Sequence, residues 1–420
     1  MKLRYLVATA VVPSMFLAAC GGGTTSSSAS KGTIEIASSF PLQGGDASAT
    51  IPMLDGVTYA VDTTKSIDGF TLKLVSYDDS VSGLGNADKE AENVNEMIDN
   101  PDVLGMIGPY YSSYGDIDIP LTNRAGLAEI SPSNTDECLT VPYSWCDPTE
   151  QQLRPTGVNN YFRLTASDLF QGPAMADYAY NVLGYRTVAA FSNGESSPES
   201  MKDHFITEFE KDGGSVPVNQ DFDWQTLTDF TPLILRAKAA GAQAVYMGGE
   251  SSTKSCQFRA QMQGILNVPF MGDDGMTNQQ CINDAGTNAD GMTNTVPIAD
   301  PFNIASSQSL IKAYEKAYPI ANDLASYTFP AYDCTKILIA AIGRAIVDAG
   351  GKMPSRAQVV TEMAGTKNFK GVTGTYTFNQ YGDATHPYVS IYQTEGTPAK
   401  FTFVKQVAID PNSIPLVGTP

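Results

Sequence analysis

Histidine is almost absent: His204 and His386 are the only two in 420 residues. That scarcity removes the usual base of nucleophilic catalysis and the commonest metal ligand. Neither has an obvious serine partner, and no Cys/His spacing suits zinc. No metal site, no cofactor and no enzyme activity are expected. Phosphate-binding loops are missing too. Gly83-Leu84-Gly85 lacks the third glycine of a dinucleotide fingerprint, and no loop ends in Gly-Lys-Ser/Thr. Gly194-Glu195-Ser196-Ser197 lacks the second glycine of a hydrolase elbow. Positive charge is scarce: 26 Lys and Arg stand against 45 Asp and Glu, a formal charge of −19. Such a chain repels phosphate backbones, so nucleic acid is not an expected partner. Beyond residue 19 no apolar run approaches the ~20 residues that span a bilayer.

What is present begins at the N-terminus. Lys2 and Arg4 precede an apolar run from Leu6 to Ala19, and Leu17-Ala18-Ala19-Cys20 leads into three glycines. This is the pattern of an export signal ending in a lipoprotein cleavage site. Residues 1–19 are read as the signal, and Cys20 as the acylated first residue of the mature chain. Residues 20–32 are a Gly/Ser/Thr tether. The expected location is extracytoplasmic, at the cell membrane or in the periplasm, with membrane contact through the lipid anchor only.

Five cysteines remain, and an oxidising compartment favours disulfides. Four of them allow three pairings. The expected pairing is Cys138–Cys146 with Cys256–Cys281, which leaves Cys334 as a buried thiol.

Strand and helix patterns alternate from Thr33 onward. Thr33–Ala37, Thr71–Val75, Val103–Ile107 and Ala128–Ile130 read as strands, with helices at 54–61 and 87–98 between them. A second α/β unit follows, with helices at 172–183, 198–211, 230–240 and 253–263 around strands at 187–191, 244–247 and 269–272. Helices at 309–317 and 332–349 come next. A late β stretch runs over 374–378 and 388–393, with Tyr381-Gly382-Asp383 as the turn between. Such alternation argues for βαβ units and parallel sheets.

Several strands end in small polar residues: Gly108 to Ser113, Ser131 to Thr135, Gly248-Gly249-Glu250 and Gly272 to Gly275. Ligands of open α/β sheets sit outside the carboxyl ends of strands. Hydroxyls and free N–H groups suit a carboxylate there, and acids suit an ammonium. Asp78-Asp79 reads either as an acid/base pair or, in preference, as a strand end capping the next loop.

The chain resembles type I periplasmic solute-binding proteins of the branched-chain amino-acid class. The resemblance rests on Tyr77-Asp78-Asp79, Ile107-Gly108, Ile130-Ser131-Pro132, Phe162-Arg163, Gln171-Gly172-Pro173, Gly248-Gly249, Phe270-Met271-Gly272 and Gly291, collinear over residues 33–405. It implies an α/β fold of two lobes, each a mostly parallel sheet flanked by helices, joined by three hinge crossovers. Residues 33–168 and 296–378 would form lobe 1, residues 169–295 and 379–410 lobe 2, and residues 411–420 a tail. By resemblance, Ser112, Ser133 and Thr135 hold the carboxylate of an amino-acid-like solute and Asp274 receives its ammonium.

Ser196 and Glu250 stand where the amino-acid binders carry aromatics. Glu250 either enters the cleft, favouring a polar or cationic solute, or turns outward. The loop 136–154 either covers the cleft or decorates the surface. The implied function is a receptor that closes on its solute and delivers it to the membrane subunits of an ABC permease. The alternative is a sensor that reports solute to a membrane signalling partner.

Overall fold

The computed structural model describes residues 30–318 and 326–409. The signal, Cys20, most of the tether and the C-terminal tail lie outside the described residues. Six strands form the first sheet: β1 (Thr33–Phe40), β2 (Ser66–Ile67), β3 (Phe70–Asp78), β4 (Val103–Ile107), β5 (Ala128–Ser131) and β6 (Tyr161–Arg163), in the order β2-β3-β1-β4-β5-β6. Seven form the second: β7 (Thr187–Ser192), β8 (Ser215–Asp221), β9 (Ala244–Gly248), β10 (Phe270–Gly272), β11 (Thr293–Val296), β12 (Tyr388–Glu395) and β13 (Lys400–Ala408). Their order is β8-β7-β9-β10-β11-β12-β13. β1, β3, β4, β5 and β6 run parallel, as do β7 to β11. β12 and β13 join antiparallel.

Central strands are short apolar runs because helices cover both faces of each sheet. Every residue of β4 and of β9 is buried. The helix Thr328–Asp348 lies against the first sheet, with Ile337, Leu338 and Ile342 sharing one core with Ile34, Ile36 and Ile107. The chain therefore passes between the lobes three times: after β6, after β11, and before β12. Ala384 still packs in the first core, beyond the boundary expected at 378.

The late β stretch differs from expectation. Thr375–Tyr376 pairs with Phe369–Lys370, whereas β12 pairs with β11 and β13. The turn at Tyr381 to Asp383 exists, closed by the isolated bridge Phe378↔Ala384 and by the Asn379 N–H donating to the Asp383 carbonyl at 2.9 Å, but it does not join the two strands as a hairpin. β12 instead satisfies its backbone in the second sheet, where Val389 and Ile391 are fully buried. Among the elements without a sequence expectation are the helices Ser112–Ala125, Gln279–Ala285 and Arg356–Ala364, and the strands β2, β6, β8, β11 and β13. β8 is an edge strand in which Val216 and Val218 are only partly covered, so its apolar signal is short.

Both disulfides are formed, Cys138–Cys146 and Cys256–Cys281, and Cys334 is free and buried. Asp78 does cap its loop, accepting from the backbone N–H of Leu42 at 3.0 Å and of Ser80 at 2.9 Å. Asp79 does not. It is fully buried with Glu90, Asp118 and Glu129, and neither of its oxygens has a hydrogen-bond partner.

Burial first, then the charges of Glu90 and Asp78, push Asp79 up to about 9 from 3.8. Glu129 rises to about 8, chiefly by burial. A carboxyl with a raised folded-state pKa binds protons more tightly folded than unfolded. Its stability contribution is full below about pH 4 and is lost as pH climbs towards about 9. Urea midpoints are therefore expected to fall steadily from pH 5 to pH 9, and Asp79→Asn to flatten that slope. A wild-type midpoint that rises with pH over this range would contradict the burial account.

Candidate functional site

Two long helices begin at the cleft between the sheets. Ser112–Ala125 follows β4, and Ser196–Lys211 follows β7. Their unsatisfied first-turn N–H groups favour an anion there. Ser112 Oγ accepts from the N–H of Thr135 at 3.1 Å and of Asp136 at 3.3 Å, so its own hydroxyl proton is free to donate. Ser133 Oγ donates to the Tyr110 carbonyl at 2.9 Å. Thr135 Oγ1 meets Ser197 Oγ of the second lobe at 2.8 Å.

The opposite wall is acidic. Asp274 accepts from Gln171 Nε2 and from the Tyr327 hydroxyl, each at 2.5 Å. Asp273 accepts from the Gly249 N–H at 2.7 Å, while its other oxygen is buried without a partner. Glu250 points inward and accepts from Asn193 Nδ2. Burial raises all three carboxyls. Asp273 and Glu250 lie well above the usual range because neighbouring acids add to the effect.

These groups converge. Ser112, Ser133, Thr135, Glu250, Asp273 and Asp274 line one cavity of about 40 Å³. Ser196 does not, because consecutive helical residues point about 100° apart and the turn directs Ser197 inward instead. Ser196 lines an adjoining chamber of about 400 Å³, with Tyr111, Tyr114, Glu195, Trp224 and Glu250. Sequence reasoning missed Ser197 and Asp273, each adjacent to a residue it named, and also Gln171 and Tyr327, whose roles depend on tertiary contact.

The two lobes touch across the cleft. Asp46 accepts from the Ser252 N–H at 3.2 Å and from the Tyr111 hydroxyl at 2.5 Å. Glu137, in the disulfide loop, meets Ser200 Oγ and His204 Nε2, both at 3.0 Å. His204 is only partly exposed, because Glu137 covers it. The loop 136–154 is packed rather than decorative: Leu139 is fully buried and Val141 and Tyr143 nearly so. Gly45 lies directly against the second lobe: a Cβ there would fall 2.7 Å from Ser252 Cα. Gly45→Val is expected to prop the lobes apart, visible as a larger radius of gyration by small-angle scattering. An unchanged radius would mean that this contact does not limit closure.

This arrangement, two α/β lobes closed on a polar cavity, is matched over residues 33–398 by the family model described as periplasmic binding protein. The chain belongs to that family. Its fold is the two-lobed α/β fold of periplasmic binding proteins, and the family is one of binding proteins rather than enzymes. Over 385 residues the chain is 25% identical to the leucine-, isoleucine-, valine-, threonine- and alanine-binding protein of Pseudomonas aeruginosa, covering 90% of this chain and 94% of the relative. A leucine binding protein from Thermotoga maritima shares the fold with a TM-score of 0.76 at 22% identity, covering 91% of this chain and all of the other. A branched-chain amino-acid transporter substrate-binding protein from Streptococcus pneumoniae, solved with isoleucine, gives a TM-score of 0.72 at 20% identity, covering 89% and 100%. No described helix of this periplasmic binding protein is long and apolar enough to cross a membrane.

Proposed function

We propose that this periplasmic binding protein is the solute receptor of an amino-acid ABC importer, held outside the cytoplasm by lipid on Cys20. One observation carries the reading: donors from one lobe and carboxylates from the other line a single small cavity between them. Ser112, Thr135 and the two helix starts form a carboxylate end, with Ser133 lining the same wall while its hydroxyl donates to the Tyr110 carbonyl. Asp274, oriented by Gln171 and Tyr327, forms an ammonium end with Asp273 beside it. An α-amino acid presents these two charges a fixed short distance apart. Binding it favours the closed state, because only that state offers both ends at once. The relatives named for amino acids add weight, and the closed surface would dock on the permease.

The cavity, at about 40 Å³, is too small for a whole amino acid, so the lobes must part to admit one. A panel of free amino acids tested by thermal shift and calorimetry checks this reading. A native-state ligand at a hundred times its Kd adds about 2.7 kcal/mol, so a hit is easily seen. If no amino acid shifts the melting point, the reading fails. The anchor is checked separately: Cys20→Ser is expected to release the protein from the membrane fraction.

A further inference from the structure

We infer that the solute is an amino acid whose side chain ends in a cation, held in the outer chamber between Glu250, Glu195 and the rings of Trp224, Tyr111 and Tyr114. This rests on the receptor reading above and names its substrate class. The chamber measures about 400 Å³ and shares Tyr111, Ser112, Ser197, Pro198 and Glu250 with the small cavity. A solute gripped by its α-groups would therefore send its side chain into it.

The lining decides what that side chain is. Glu195 and Glu250 enter the chamber, and Asp273 and Asp274 stand just behind. No Lys, Arg or His lines either space among the described residues. Nearby Lys254 is committed to the carbonyls of Trp224 at 2.7 Å and Leu227 at 3.2 Å. One α-ammonium answers one acid and brings its own carboxylate with it. The acid excess then persists unless a second positive charge follows.

The buried, unpartnered oxygen of Asp273 is independent evidence of a missing donor. Glu195 is held by the Trp224 indole N–H at 2.7 Å, which fixes carboxylate and ring together. Tyr111 and Tyr114 pack edge to face at 5.0 Å beside them. Acids flanked by ring faces suit an ammonium or guanidinium. An aliphatic side chain would strip water from these carboxylates and return nothing.

The test uses the mature chain at 150 mM salt, where loose surface attraction is screened. Calorimetry compares lysine, ornithine and arginine with norleucine, the neutral near-isostere of lysine, and with leucine. At least one cationic amino acid is expected to bind tenfold or more tighter than norleucine. Glu250→Gln and Glu195→Gln are each expected to shrink that ratio severalfold. Norleucine or leucine binding as tightly as the cationic set would overturn the inference while leaving the receptor reading intact. An unchanged ratio in both variants would overturn it as well. No binding by any amino acid would instead sink the receptor reading itself.

Discussion

Asp274→Ala is expected to weaken binding of the amino-acid solute a hundredfold or more. The carboxylate is fixed from both sides, by Tyr327 of the first lobe and Gln171 of the second. Gln171 belongs to the same lobe as Asp274, so its hold persists when the lobes part, whereas the Tyr327 bond forms only on closure. Removing one member of a buried charge pair strands the other, which typically costs about 3–5 kcal/mol. The variant also frees the Tyr327 hydroxyl that bridges the lobes, so closure should loosen as well as affinity. Calorimetry against the best ligand of the amino-acid panel gives the first quantity. Small-angle scattering with saturating ligand gives the second. Affinity within threefold of wild type would remove Asp274 from the ammonium end.

Arg163→Met is expected to cost about 3–5 kcal/mol of stability, the range for breaking a buried ion pair from one side. Arg163 is fully buried at the end of β6 and ties three segments together. Its Nε lies 2.7 Å from Asp383 Oδ1, in the segment that returns towards the second sheet. Its terminal nitrogens donate to the Asp136 carbonyl at 2.5 Å and to Thr140 Oγ1 at 2.6 Å, both in the disulfide loop. Its backbone N–H donates to the Gly382 carbonyl at 3.1 Å. Arg163→Lys should recover only part of the loss, because a single ammonium cannot serve three directions as the planar fork does. Urea unfolding followed by circular dichroism measures both variants. A loss below 1 kcal/mol for Arg163→Met would mean that the crossover is held by other contacts.

The strand–helix alternation was legible because central parallel strands are unbroken apolar runs, as in Val103–Ile107 and Ala244–Met247. Helix Ser112–Ala125 was not, since Gly115 and Pro120 interrupt it and Asp118, Thr122 and Asn123 sit on its buried side. Buried polar residues on a helix mimic a solvent face when only the pattern is available. The cleft was legible as a set of polar strand ends, and Ser112, Ser133, Thr135, Glu250 and Asp274 do meet around one space. Which of two adjacent residues turns inward depends on the helix phase at its first turn, and Ser196 against Ser197 falls at that point. Contacts between remote segments, such as Tyr327 with Asp274 or His204 with Glu137, leave no local trace in composition or spacing.

The interleaved path of the chain sets an order of events at synthesis. β1 to β6 are complete by residue 163, yet one of the two helices that cover the same face of their sheet, beside Ala47–Thr64, starts only at Thr328. At ribosomal rates of about 5–20 residues per second, that face waits on the order of 10–30 s for the rest of its cover. During that interval Leu104, Ile107 and Ile130 lack the apolar partners that Ile337, Leu338 and Ile342 supply. A polypeptide that stays unfinished so long is well matched to being threaded through a narrow export pore before it hardens.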